Sequence, residues 1–345
     1  MKIQRRVTQQ VWLYSFLLLI WSSFTFAERQ PETSIFDHLS FDDVLKVDIE
    51  TDLDSLVNTK LTEEEVPATF SYKDKQGKER KWKVKLEVRG KFRRRVCPFP
   101  PLFVNFSKKD LKAAGFNDHN DLKLVTHCVD NKKGDENVLR EYMAYKLYEI
   151  VSDKHYRVQL LKIKYRDDNG KLLCTRYGIL MEDEDELKER YNSKLCEDCY
   201  SLPKDSFDLK NLQTHNLFQY MIGNTDWSLA MARNMKLLRS KENGKFSIVP
   251  YDFDFSGLVS APYASVDKSL GLKSVRERKY LGLGESPEEL EPTIELFRSK
   301  RKEILNYIKK FKLLNMEARQ DMSEFIESFY RCLEDGLDLE EPGKC

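Results

Sequence analysis

Asp226, Asn234, Asp252 and Asp254 are the residues of this chain best placed to do chemistry. An apolar helical run, Leu217 to Ile222, stops at Gly223 and opens onto Asn224-Thr225-Asp226. Asn234 precedes a second apolar segment, Met235 to Leu238, and a short strand, Phe246 to Val249, leads into Asp252-Phe253-Asp254. Carboxylates and an amide on loops, each anchored by hydrophobic sequence, suit a divalent ion and a phosphate-bearing ligand. Asp226 can orient an attacking hydroxyl, Asn234 and Asp252 can hold Mg²⁺, and Asp254 shares the metal or braces its loop. Taken singly, any of these is equally an Asx cap or turn residue.

The elements that must position them alternate in type along the chain. Leu45, Val47 and Ile49 recur at strand period, and residues 68–73 and 81–88 flank a hairpin turn at Asp74-Lys75-Gln76-Gly77. The second of these strands turns Trp82, Val84, Leu86 and Val88 to one face and charged residues to the other. It runs into Arg89-Gly90-Lys91-Phe92-Arg93-Arg94-Arg95, where glycine permits a tight turn and guanidiniums match phosphate. A solvated basic loop is the competing reading of that run. Strands are expected at Leu102 to Phe106 and at Leu122 to Thr126, the latter carrying Lys123.

Leu139, Tyr142, Met143, Leu147 and Ile150 follow helical spacing, with Glu141 off that stripe beside Tyr145 and Tyr148. Lys123 with Glu141 is the candidate phosphate-anchoring ion pair, and both read equally well as surface residues. Strands at Val158 to Tyr165 and Leu172 to Met181 end at Glu182, and a charged helix follows. Residues 293–314 and 317–335 carry apolar stripes of packing helices. Strands dominate to about residue 182 and helices thereafter, an α+β pattern that divides into a β-rich part, 28–182, and a mainly helical part, 183–345.

The chain of 345 residues is 41% hydrophobic and 12% aromatic, a globular composition. A net charge of +1 gives no reason to expect nucleic acid. A mean hydropathy of −0.59 excludes a multispan membrane protein. Lys2, Arg5 and Arg6 precede the apolar run Val11 to Phe26, which ends at Ala27. That is the layout of a signal peptide over residues 1–27, cleaved to leave no stable membrane span, and it predicts export to a periplasm or the extracellular space. A retained anchor is the alternative reading.

The 7 cysteines are then expected to serve mainly in disulfides. Cys97 and Cys128 both border strands and are expected to pair. Cys196-Glu197-Asp198-Cys199 lacks a second CxxC or a His pair at zinc spacing, and its acidic residues oppose thiolate formation, so a structural role is expected.

The order carboxylate, amide, strand, carboxylate is also that of protein kinases. The chain resembles the CotH-type secreted kinase-like proteins, a family named for a spore-coat protein. The resemblance rests on Val88-Arg89-Gly90, Leu139 to Ala144 with Glu141, and Tyr177-Gly178 through Glu182. It continues in Asn224-Thr225-Asp226, the downstream Asn234, and Pro250-Tyr251-Asp252-Phe253-Asp254, and spans residues 44–258. It implies a two-lobed atypical protein-kinase-like fold that uses ATP with Mg²⁺ or Mn²⁺ to phosphorylate an exported protein.

By position, Asp226 becomes the catalytic aspartate, and Asn234 and Asp252 the metal ligands, with Asp254 beside them. Arg89 and Gly90 fall at the nucleotide, and Glu182 marks a hinge where backbone groups meet adenine. The chain departs from the pattern at Lys91-Phe92-Arg93, in the absence of lysine from Leu102 to Phe106, and in an Asp226-to-Asn234 gap longer than D-x-x-x-x-N. Two other functions fit the same residues: a catalytically inactive scaffold that binds a partner or carbohydrate, and a metal-dependent hydrolase.

Overall fold

A computed structural model of the protein describes residues 33–62 and 64–336. Residues 1–27, expected to be the export signal, and Cys345 lie outside the described residues. From Ser34 onward the described residues belong to one compact unit.

Helix α1 (Ile35–Leu39) leads into a closed sheet of seven strands. Around the barrel the order is β1 (Leu45–Thr51), β2 (Glu65–Lys73), β3 (Glu79–Val88), β4 (Leu102–Phe106), β5 (Asp121–Val125), β7 (Leu172–Met181) and β6 (Val158–Arg166). Short helices α2 (Leu53–Asn58), α3 (Arg93–Val96) and α4 (Lys108–Ala113) fill connections between strands. Strand alternation decides what enters the barrel: Leu45, Val47 and Ile49 are buried, as are Val84, Leu86 and Val88, while Lys81, Lys83 and Lys85 are exposed.

The closure was not legible in the strand pattern. It depends on β6 returning parallel to β1, pairing Leu45–Glu50 with Leu161–Arg166. That long-range register removes the open edges that a half-buried sheet would otherwise present.

Strand β5 serves both sides of the barrel wall. Leu122 and Leu124 join the barrel core, and Val125 joins a second apolar cluster outside it. Lys123 therefore lies on the outer face by the period of the strand. The second cluster is built by α5 (Lys132–Val151), α6 (Glu184–Arg190), α7 (Leu209–Met221), α8 (Pro287–Lys310) and α9 (Met316–Asp335). It draws Leu139, Met143 and Tyr148 from before residue 182 and Phe218, Phe297 and Phe329 from after it. The stripes expected on the last two helices face this core: Ile294, Phe297, Ile304 and Ile308 on α8, and Met322, Phe325, Ile326 and Phe329 on α9, are all buried. A capping box of Ser286 and Glu289 starts α8.

The remaining sheet has 3 strands, β8 (Ser193–Cys196), β9 (Met235–Ser240) and β10 (Phe246–Pro250), in the order β10-β9-β8. Ile248, Leu237 and Trp227 form its own apolar cluster. No helix among the described residues is long and apolar enough to cross a membrane.

Cys97 and Cys128 are bonded, with Cα atoms 4.7 Å apart, which ties the end of α3 to the segment after β5. Cys196 is bonded to Cys199, and Cys174 carries a free thiol. Replacing Cys97 and Cys128 by serine frees a loop closed over 31 residues. The loop-entropy term predicts a loss of about 3–4 kcal/mol, read as a lower urea midpoint with little change in slope. An unchanged midpoint would show that the bond adds nothing to the folded state.

Candidate functional site

Helix α7 ends at Met221 with Ile222 as its cap, and Gly223 follows with φ +62°. Asn224 works as a bracket. Its backbone N–H and its side-chain amide both donate to Gln219, to the carbonyl at 2.8 Å and to Oε1 at 2.9 Å. Asn224 Oδ1 accepts from the Asp226 N–H at 3.0 Å, and its carbonyl accepts from Trp227 Nε1 at 3.0 Å. Asp226 is thus fixed by the helix before it and the indole after it.

Asn234 closes the other side of Asp226. Its amide donates to the Asp226 carbonyl at 2.5 Å and to Asp226 Oδ2 at 3.0 Å, across a separation of 8 residues. The surplus length is turned outward as a hairpin, in which Ser228 and Arg233 exchange backbone hydrogen bonds of 3.3 and 3.0 Å. The long gap therefore does not separate the two side chains.

Strand β10 delivers the second loop. The Tyr251 N–H donates to the Asn234 carbonyl at 3.1 Å, and the Asp252 N–H donates to Tyr145 Oη of α5 at 2.9 Å. Asp252 sits at φ +65°, a left-handed conformation that this double anchoring holds in place. Further on, Gly257 donates to the Gly223 carbonyl at 3.0 Å and Leu258 to the Ile222 carbonyl at 3.1 Å, which joins the two acidic loops back to back. A Cβ at Gly257 would come within 2.4 Å of the Val275 carbonyl oxygen, so the close approach needs glycine.

Behind these loops lies a buried ionic centre. Arg93 Nη1 is 3.8 Å from Glu141 Oε2, and Arg93 Nε is 3.9 Å from Asp254 Oδ2, with all of these side chains 7% exposed or less. Arg93 Nη2 donates to the Thr126 carbonyl at 2.5 Å, and Tyr263 Oη donates to Asp254 Oδ2 at 2.9 Å. Glu141 and Tyr145 are one helical turn apart on α5, so one face of that helix meets both Asp254 and Asp252.

Burial raises the Glu141 carboxyl well above its usual range, and Asp254 and Asp252 add to the rise against the pull of Arg93. Burial, then Asp252, push Asp254 up to about 7, again opposed by Arg93. Burial also raises Asp226, where Arg233 and the Asn234 hydrogen bond pull down and Asp252 pushes up. Arg93 is held charged: burial disfavours the cation, but Tyr263, Asp254, Glu141 and Asp252 together outweigh it. Glu141 Oε1 and Arg93 Nε have no hydrogen-bond partner despite being buried. The centre is rich in negative charge and incompletely satisfied, which is the environment a divalent cation relieves.

The ion pair expected between Lys123 and Glu141 is replaced by two others. Lys123 bonds Glu184, which also pairs with Lys236 at 2.7 Å, and Glu141 faces Arg93. The reason lies in direction. Lys123 points across the end of the barrel between the rings of Tyr156 and Tyr251, 5.4 and 5.1 Å from its ammonium, while α3 brings Arg93 to α5. Burial, together with Arg89 and Lys236, pulls the ammonium down to about 8 against Glu184.

Glu182 is fully buried. Its carboxylate accepts from the Arg157 N–H at 2.8 Å, Arg157 Nε at 2.7 Å and Arg190 Nη2 at 2.5 Å. Its own N–H donates to the Arg157 carbonyl at 3.2 Å, so this group is already used. Arg89 stands over the Phe103 ring at 5.4 Å and is near enough to favour the ionised forms of Glu141 and Tyr145 against their burial. Gly90 turns the chain at φ +83°, the left-handed region that the Arg-Gly pair requires.

No family model matches the sequence, and no curated protein matches it. Among solved structures, the crystal structure of the Helicobacter pylori proinflammatory kinase CtkA is similar. The identity is 11% and the TM-score 0.39, over 66% of this chain and 90% of that one. A likeness so loose carries no argument about this chain, whose own geometry must support any functional reading.

Asp226, Asn234, Asp252, Asp254 and Glu141 fall in one neighbourhood with Arg89, whereas Lys123 belongs to its Glu184 side. Among the described residues, Asp226, Asp252 and Asp254 do not bring three ligand atoms within 4.8 Å of one another; His127, Asp130 and Cys174 do. Arg93, Tyr145, Arg233 and Tyr263 do not stand out in the sequence. Arg93 looks like its neighbours in a basic run, and its one distinguishing signal is that Cys97 follows four residues later.

The ionic centre predicts opposite pH profiles for two substitutions. Asp254 has a folded pKa above its ordinary value, so its burial costs stability progressively as pH rises from the usual carboxylate range through about 7. Asp254→Asn, which still accepts from Tyr263, should gain on the wild type at about pH 8 and little at about pH 5. Arg93→Met should lose about 3–5 kcal/mol at the higher pH and less at the lower, where Glu141 and Asp254 can take up protons. Denaturant titrations at both pH values check this, and parallel losses at both would contradict it.

Proposed function

We propose that the protein is an exported kinase-like phosphotransferase that moves the γ-phosphoryl group of ATP to a hydroxyl of an extracytoplasmic protein. The observation that supports this best is the convergence of Asp226, Asn234 and Asp252 against the Arg93–Glu141–Asp254 centre. In this reading the barrel and the helical half are the two lobes of a diverged CotH-type kinase-like fold, divided near residue 182. Export rests on the character of residues 1–27.

Asp226 accepts a hydrogen bond from the acceptor hydroxyl and orients it, and the grip of Asn224 and Asn234 fixes its direction. Asn234 and Asp252, with Asp254 behind them, would hold Mg²⁺ or Mn²⁺, which supplies charge neutralisation and alignment of the phosphates. The unsatisfied Glu141 Oε1 and the raised Asp254 carboxyl fit such an ion. Arg89 and Arg93 offset the remaining phosphate charge. Arg93 takes the role expected of Lys123, a cation clamped to the glutamate of α5.

One observation favours a second reading, an inactive kinase-like binding protein. Lys123, on the strand that leads to α5, is engaged by Glu184 rather than Glu141. Incubation of the purified protein with labelled ATP and either Mg²⁺ or Mn²⁺ separates the two. Phosphotransfer should appear on the protein or on a generic protein acceptor. Asp226→Ala should fall by about 10²–10⁴-fold and Asp252→Ala should lose metal-dependent activity. No label with either metal would sink the phosphotransferase reading and leave the binding protein.

A further inference from the structure

The residues between Asp226 and Asn234 do more than take up length. Trp227 and Leu229 are buried in the third apolar cluster, against which Cys196 and Cys199 pack. Ser201, just beyond that disulfide, donates its N–H to the Ala230 carbonyl at 3.0 Å. The Met231 N–H donates to Ser228 Oγ at 3.3 Å, and the Ala232 N–H to the Leu229 carbonyl at 3.3 Å. Ala232 and Asn234 both take positive φ, 47° and 57°, to make the turn. A loop with no task would not need two buried anchors and a tether to a neighbouring disulfide segment. The hairpin is braced, and at its closing pair it carries Arg233.

The Arg233 side chain is 48% exposed, and its Nη2 lies 3.6 Å from Asp226 Oδ1. Arg93 is committed to Glu141 and Asp254, Lys123, outside the acidic cluster, to Glu184, and Arg89 lies over the Phe103 ring. Arg233 differs in standing on the solvent side of Asp226, with Asp267 as a further acidic neighbour. We propose that Arg233 is a specificity residue that receives an anionic group, a carboxylate or phosphate, carried by the acceptor beside the hydroxyl to be phosphorylated. This rests on the phosphotransferase reading and names its substrate class as acidic protein segments.

A guanidinium presents paired donors that suit such groups, and the braced hairpin holds them in place before the acceptor arrives.

The test uses two serine peptides, one flanked by glutamates and one by lysines, with the full exported chain as wild type, Arg233→Ala and Arg233→Lys. Fluorescence anisotropy without ATP reads binding, and steady-state kinetics with ATP read transfer. The wild type should prefer the acidic peptide. Arg233→Ala should raise its KM and Kd about tenfold or more, with the KM for ATP unchanged, and Arg233→Lys should recover part of the loss. Equal binding of the two peptides by the wild type overturns the assignment. So does a uniform fall in kcat for both peptides with the preference intact, which would put Arg233 on the transferred group. If neither peptide is phosphorylated but the acidic one binds and Arg233→Ala releases it, the phosphotransferase reading fails and the acidic-segment site stands.

Discussion

The site depends on one buried guanidinium. Arg93 sits between Glu141 of the long helix after the barrel and Asp254 of the loop after β10, and among the described residues no other cation is paired with both. Two carboxylates removed from water repel each other strongly, and the residue that lets them share a core must be charged and fixed. Fixing it is the work of its surroundings: the Thr126 carbonyl accepts from it, and the Cys97–Cys128 bond ties its helix to the end of β5. The barrel, α5 and the acidic loops are connected through this one side chain.

The loops in front of Arg93 are held by a different principle, the satisfaction of backbone groups by side chains and by one another. Asn224, Asn234 and Tyr145 each bind loop backbone through a side-chain atom, and Gly223 and Gly257 allow the two loops to touch. Asp226 and Asp252 are thereby relieved of holding their own loops in shape. Asn224, which looks in sequence like a companion of Asp226, is a bracket, whereas Asn234 both clasps Asp226 and faces the site. The hairpin between them shows the same economy: Trp227 and Leu229 anchor it so that Arg233 stands at a fixed place.

What could be read from sequence depends on how local each signal is. Leu45, Val47 and Ile49 announce a strand because alternation is a property of neighbouring residues, and Asp226 and Asp252 stand out because apolar runs bound them. The parallel return of β6 to β1 is not local, and the barrel closure was accordingly invisible. The partner of Glu141 is not set locally either. Which cation reaches Glu141 depends on where α3 lies, and Arg93 is one arginine among several alike. The Asp226–Asn234 spacing looked like an obstacle because the backbone pair between Ser228 and Arg233 leaves no mark in residue type.

A metal–nucleotide site in front of Arg93 is the central claim, and thermal unfolding tests it most directly. Mg²⁺ with ATP at about a hundred times its dissociation constant should stabilise the wild type by about 2.7 kcal/mol, a rise of several degrees in Tm. Asp252→Ala, folded and otherwise of similar Tm, should lose that rise. An unchanged Tm for the wild type at saturating Mg²⁺ or Mn²⁺ with ATP, or an equal rise in Asp252→Ala, would contradict the claim.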